Sequence, residues 1–201
     1  STVLLVHFDE GSGKVVRDSG INAQVGSVGE GYSWAPETNE NTVPLGSLAS
    51  SGGGVALPDS DLLIKARTFS LWAKFDSLEP NGRLLFRGDT DNGKDPVDFF
   101  VGENGILSFG SNITGGTFTK TPAPVKTGVW HHLTGTVNDD GGVLSLYLNG
   151  LKVDEKRGNP SVEIALDPAR QAGWGIGNHS GTASLYPFKG SIDDVRFYNR
   201  V

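Results

Sequence analysis

Two acidic stretches of this 201-residue chain carry oxygen ligands at spacings that could do chemistry. Asp9 and Asp18 flank a glycine-rich turn, and Asn22 lies just beyond. Calcium takes about six to eight oxygens, several of them carboxylate, from turns that can also offer carbonyls. These three residues are therefore candidate calcium ligands. The competing reading makes Asp9 and Asp18 ordinary Asx-type turn residues. The second stretch is Arg87-Gly88-Asp89-Thr90-Asp91-Asn92-Gly93-Lys94-Asp95. Counted from Asp89 as an EF-hand loop, it places Lys94 where glycine is required and Phe100 where a bidentate Glu is required, so that match fails. The plain reading is a solvated hairpin loop. The functional one has Asp89, Asp91 and Asp95 binding sugar hydroxyls or a second cation. Arg87-Gly88-Asp89 also spells an integrin-type tripeptide, a match three residues long.

A second group of side chains suits ligand contacts of another kind. Binding sites for organic ligands mix apolar walls with a few placed polar groups. Trp34, beside Tyr32, lies among Gly, Ser and Glu, where no strand parity forces it inward. It is read as a stacking platform or as a lid over the core. Asn178, His179 and Tyr186 bracket another polar loop. Loops at one end of a sandwich cluster, so this loop and the Asp89–Asp95 loop are expected to share a pocket. His131 and His132 are neighbours on a strand and point to opposite faces, so they cannot share one ion. No catalytic pattern stands beside these groups. There is no cysteine, no Gly-x-Ser-x-Gly elbow and no His-Glu-x-x-His zinc pattern. The chain is read as not an enzyme.

The elements that must position these residues are strands. Thr68 to Asp76 sets Phe69, Leu71, Ala73 and Phe75 on one face and Ser70, Trp72 and Lys74 on the other, the period of a half-buried strand. Val143 to Asn149 groups Leu144, Leu146 and Leu148, and Trp130 to Asn138 opposes Leu133 and Val137 to Thr134 and Thr136. Further strands are expected at Thr2–Phe8, Gly54–Leu57, Arg83–Arg87, Val97–Val101, Ile106–Phe109, Lys152–Glu155, Gly173–Gly177 and Gly190–Tyr198. Trp174 shares parity with Ile176 and is assigned to the core. Asp139-Asp140-Gly141-Gly142 and Asn149-Gly150 are hairpin turns. About a dozen short strands without intervening helices must pair antiparallel, which gives an all-β fold, a two-sheet antiparallel jelly-roll sandwich. Val25 to Ser51 lacks regular alternation and reads as a long surface excursion.

The length suits a single domain spanning residues 1–201, and such a chain can bury a core without disulfide or metal. The 29 glycines fall at irregular spacing, as tight turns require. The net charge of −6 leaves no basic face for a phosphate backbone, so nucleic acid is an unsuitable partner. No run approaches the roughly 20 apolar residues of a membrane helix. The absence of methionine even at position 1 implies a piece of a longer chain.

Seven segments occur in an order that resembles the laminin-G-like, concanavalin A-like lectin–glucanase domains. They are Phe8-Asp9-Glu10-Gly11-Ser12-Gly13 with Val16-Arg17-Asp18-Ser19-Gly20, Val55-Ala56-Leu57-Pro58, Phe69-Ser70-Leu71-Trp72, Trp130-His131-His132-Leu133, Leu146-Tyr147-Leu148-Asn149-Gly150, and the close from Phe188 to Arg200. The resemblance covers nearly the whole chain. It implies a jelly roll whose first and last strands pair. That would bring Asp193 beside Asp9, Asp18 and Asn22, four ligands for one structural Ca2+ tying the termini together. It further implies a monomeric, non-catalytic carbohydrate-binding, lectin-like module of a secreted or cell-surface protein, bacterial in setting, with a polysaccharide or glycan as partner. The alternative within the same family is a structural or adhesive domain that binds protein or spaces its neighbours.

Overall fold

The computed structural model describes residues 1–20, 22–35, 47–51, 53–88, 94–112, 116–160, 162–163, 165–166, 173–179 and 186–201. In chain order the strands are β1 (Thr2–Val6), β2 (Val15–Arg17), β3 (Val25–Val28), β4 (Tyr32–Ala35), β5 (Ser47–Ser50), β6 (Val55–Leu57), β7 (Thr68–Phe75), β8 (Arg83–Gly88), β9 (Asp95–Val101), β10 (Leu107–Asn112), β11 (Thr117–Lys120), β12 (Trp130–Asn138), β13 (Val143–Leu148), β14 (Leu151–Arg157), β15 (Gly173–Ile176) and β16 (Gly190–Tyr198). Antiparallel pairing builds two sheets, a jelly-roll sandwich. The first runs β14-β13-β12-β7-β16-β5-β4, with β1 also on β16, and the second runs β11-β10-β9-β8-β15-β6-β3-β2.

Alternation sets the core. Phe69, Leu71, Ala73 and Phe75 of β7 are fully buried and meet Leu133, Val137, Leu144 and Leu146 of the same sheet. Phe69 is the hub between the sheets. Its ring lies 5.1 Å from Phe197, 5.6 Å from Trp174 and 6.1 Å from Phe109. Trp174 is buried, as its parity with Ile176 requires. Asp154 of β14 accepts a hydrogen bond from the Lys120 backbone N–H of β11 at 2.9 Å, which links the edge strands of the two sheets.

The stretch Val25 to Ser51 is corrected by the structure. It contains β3, β4 and β5, of which β3 pairs with β2 and β6, and β5 joins β4 to β16. These strands are four residues each and read VGSV, YSWA and SLAS, too short and too rich in small residues to show a period. Cross-strand neighbours, not local propensity, select their conformation.

The first and last strands do pair, β1 against β16. One edge of β16 is shared. Gly190–Ile192 pair with β5, whereas Val195–Tyr198 pair with β1. The changeover falls at Asp193-Asp194, where the register against β7 also shifts and Asp194 takes φ 50°. Phe8, at φ 55°, turns the chain away just beyond β1.

Candidate functional site

The richest grouping of chemistry lies on the outer face of the second sheet. On β8 and β9 the pair Leu85–Phe99 points into the core, so its neighbours Phe86–Asp98 and Arg83–Phe100 point outward. Next in register come Ser108 and Gly110 of β10, then Phe118 and Lys120 of β11. Gly110 lets β11 approach closely: a Cβ there would stand 2.0 Å from the Thr117 carbonyl oxygen and 2.7 Å from the Phe118 ring. Phe100, Ser108, Phe118 and Lys120 line a groove of about 490 Å³ that ends at Gly102–Ile106.

Beside the groove sits a charged cluster. Asp98 is 2% exposed. Its Oδ2 accepts from Arg83 Nη2 at 3.0 Å, and Arg83 Nη1 donates to the Asn81 carbonyl, also at 3.0 Å. The guanidinium lies between two rings, 4.8 Å from Phe100 and 5.0 Å from Tyr186. His179, 8% exposed, stacks on Phe86 with centroids 3.9 Å apart, and Tyr186 meets it edge-on at 5.7 Å. Burial pushes the Asp98 carboxyl up to about 7 against the pull of Arg83, and the nearby Asp95 charge adds to the rise. Burial, with Arg83 beside it, lowers His179 to about 4, so the imidazole is neutral at physiological pH. Tyr186 is 44% exposed and sits at φ 54°, a conformation that costs about 1 kcal/mol or more in a residue with a side chain and that gathers at ligand sites.

Three buried atoms of this cluster have no hydrogen-bond partner: Arg83 Nε, Asp98 Oδ1 and His179 Nδ1. A buried polar group left unpaired costs about 1–3 kcal/mol. Three in one place, ringed by aromatic faces, are a ready set of contacts for a polar ligand.

Of the expected ligand residues, Asp95, His179 and Tyr186 come to this cluster. The pocket expected between the two loops rests on residues 89–93 and 180–185, which lie outside the described residues. Asn178 is fully buried, its side chain standing over Gly54, where a Cβ would come within 2.0 Å of it. Asp89 and Asp91 lie outside the described residues. Trp34 is placed elsewhere, as a lid on β4. Its indole N–H donates to the Gly13 carbonyl at 3.0 Å and its ring packs on the core. Arg87 of the Arg-Gly-Asp tripeptide is interior, 0% exposed, and offers nothing to an external partner. Arg83, Phe86, Asp98 and Phe100 were not legible as site residues. The available signal was Asp98 itself, an acid inside the apolar run Val97-Asp98-Phe99-Phe100.

The four expected calcium ligands divide into two pairs. Asp18 Oδ1 accepts from the backbone N–H groups of Leu5 (2.8 Å) and Gly20 (2.7 Å), the latter an Asx turn, and Oδ2 accepts from Gln24 N at 3.4 Å. Asn22 Nδ2 donates to the Val3 carbonyl at 2.9 Å. Both residues thus brace the edge of β1. Asp193 is 0% exposed, and only its Oδ1 is bonded, to the Asp194 N–H at 2.6 Å. Its Oδ2 is buried without a partner. Burial, helped by the charges of Asp194 and Asp9, raises its carboxyl to about 8 against the pull of the Asp194 N–H and of Arg196. Asp194 is held bidentate by Arg196 (3.0 and 2.6 Å) and faces His7 at 3.1 Å. Among the described residues no group of three or more His, Cys, Asp or Glu is set to hold a metal. What fits a cation here is the orphaned Asp193 oxygen with Asp9 close enough to act on it. His131 and His132 take opposite faces, the first bonded to the Lys126 carbonyl and the second to Ser70 Oγ.

The fold and these motifs define the class. The family model described as the concanavalin A-like lectin/glucanases superfamily matches residues 49–201, and the chain belongs to that superfamily. Among solved structures, domain 4 of AbnA, an extracellular GH43 arabinanase from Geobacillus stearothermophilus in complex with arabinotriose, is similar with a TM-score of 0.78 at 22% identity, covering 98% of this chain and 92% of that one. The CBM40 of the Ruminococcus gnavus IT-sialidase, bound to α2,3-sialyllactose, matches with a TM-score of 0.62 at 20% identity, over 77% of this chain and 90% of that one. A Trypanosoma rangeli sialidase matches with a TM-score of 0.64 at 16% identity, over 98% of this chain but 30% of that one. No curated protein matches the chain in sequence.

Proposed function

We propose that this domain is a non-catalytic carbohydrate-binding module of a secreted or cell-surface multidomain protein, which takes its glycan on the outer face of the second sheet. The observation that carries this reading is the convergence of three unpaired buried polar atoms with the rings of Tyr186, Phe86 and Phe100. A sugar ring offers an apolar C–H face for such rings and hydroxyls that both donate and accept for such atoms. The likeness to two domains solved with oligosaccharides agrees with it. Glycoside hydrolysis needs one carboxyl free to give up a proton and a second free to attack or to activate water. Asp98 is instead committed to Arg83. Calcium belongs to the proposal as a structural ion, with Asp9 and Asp193 as the chain's own ligands at the β5–β1 changeover on β16. An ion there would engage the orphaned Asp193 oxygen and hold the β16 edge to the turn after β1.

A glycan array followed by calorimetry tests the proposal. Binding to at least one polysaccharide is expected, weakened tenfold or more by Tyr186→Ala and by His179→Ala, while Trp34→Ala leaves it within twofold. A silent array, or binding indifferent to both site substitutions, would move the weight to an adhesive or spacing role.

A further inference from the structure

We infer that the Arg83–Asp98 cluster selects neutral sugars bearing two adjacent free hydroxyls and turns carboxylated sugars away. The inference rests on the module reading above and adds the class of ligand to it.

A carboxylated sugar is held through a cationic fork, above all the planar guanidinium of arginine. Arg83 is the arginine of this cluster, and both terminal nitrogens of its fork are engaged. Nη2 is given to Asp98 Oδ2 and Nη1 to the Asn81 carbonyl, and the rings of Phe100 and Tyr186 lie 4.8 and 5.0 Å from the guanidinium. A ligand carboxylate could take Arg83 through two parallel bonds only by displacing Asp98 and leaving that acid buried with no counter-charge, and through the unpaired Nε alone it would stand against the Asp98 charge. Breaking a buried pair in this way is strongly unfavourable. Asp95 adds a second negative charge that acts on Asp98, and His179 is neutral. Toward the groove, Lys120 and Glu103 both stand on the lining, one charge of each sign.

What the cluster does offer is suited to hydroxyls. Asp98 Oδ1 is an acceptor, Arg83 Nε a donor, and His179 Nδ1 either one according to its tautomer. A single hydroxyl can accept from Arg83 while donating to Asp98, and its neighbour on the same sugar ring can meet His179. Reaching these atoms requires the exposed Tyr186 ring to swing off the guanidinium, where it can lie against the sugar's apolar face.

The test measures the intact domain against two panels by calorimetry at pH 8. The neutral panel is xylo-, manno-, galacto- and arabino-oligosaccharides. The anionic panel is oligogalacturonate, oligoalginate and sialyllactose. The expected result is that the best neutral ligand binds at least tenfold more tightly than any anionic one. Equal or tighter binding of an anionic ligand overturns the inference and leaves the module reading standing. Silence across both panels overturns both.

Asp98→Asn, which keeps the shape and frees the Arg83 charge, is expected to weaken the neutral ligand at least tenfold and to bring anionic ligands within threefold of it. Unchanged selectivity in a folded Asp98→Asn protein also overturns the inference. Should that variant not fold, the wild-type protein at pH 5.5 serves in its place. Asp98 titrates near 7. On going from pH 8 to 5.5 it takes up a proton while Arg83 stays charged and His179 stays neutral, so the preference for neutral ligands must shrink. A preference that holds or grows at pH 5.5 overturns the inference.

Discussion

Arg87→Met is expected to lower the free energy of unfolding by about 3–5 kcal/mol, the range for removing one partner of a buried ion pair. The guanidinium is fully buried between the sheets. Its Nε and Nη2 meet the two oxygens of Asp59 at 3.0 and 2.8 Å, and Nη1 donates to the Val162 carbonyl at 2.8 Å. The Trp174 indole N–H joins the same carboxylate at 3.0 Å. Methionine fills much of the volume but leaves the Asp59 charge with only the Trp174 N–H and the Val162 carbonyl without its donor. For a chain of this length, 1 kcal/mol moves the melting temperature by roughly 2–4 °C, so calorimetry should show a fall on the order of 10 °C. Arg87→Met with Asp59→Leu should recover part of that loss, because no charge is then left alone. A fall below about 2 °C for the single variant, or a double variant no better than the single, would refute this account of the sandwich interior.

The second large effect concerns calcium. A ligand that binds only the folded state stabilises it by RT ln(1 + [L]/Kd), about 4 kcal/mol for a ligand at a thousandfold excess over Kd. Millimolar calcium over a micromolar site should therefore raise the melting temperature by roughly 10 °C relative to chelator. Asp193→Asn should abolish that increment, since it replaces the orphaned buried oxygen proposed as a ligand. Asp18→Asn should lower the melting temperature in both conditions and leave the increment intact, because the Asp18 carboxylate serves the backbone N–H groups of Leu5 and Gly20. The same melting curve with calcium and with chelator, after verified metal removal, would count against the ion. Loss of the increment in Asp18→Asn alone would relocate it.

How far the sequence could be read depended on whether a residue's surroundings were local. Thr68 to Phe75 alternates over eight residues, and every residue assigned to its inner face is buried. The outer face of β8 and β9 was harder. A register shift between Arg83 and Leu85 breaks the alternation, so Leu84 and Leu85 are both buried. Phe86 faces away from the core and is still fully buried, because His179 stacks on it. Burial of that kind comes from a residue 93 positions away and leaves no period in the strand itself. Trp34 was left open between platform and lid for a related reason. It stands in an irregular-looking stretch, and only pairing of β4 with β5 and a bond to Gly13 show that its ring is a lid.

By itself the sequence determined that this protein is a two-layered antiparallel sandwich, because strand period and turn residues are properties of neighbouring residues, while the pairing of its ends was implied only by the family resemblance of its motifs. It also named His179, Tyr186 and Asp95 as groups suited to a ligand. Only the tertiary structure decided that these meet Arg83 and Asp98 on a sheet face, and that Asp18 and Asn22 brace β1 while Asp193 stays buried with one oxygen unpaired. Those outcomes depend on hydrogen bonds and ion pairs between residues far apart in the chain. Their register is set by the packing of whole sheets, which no local pattern encodes.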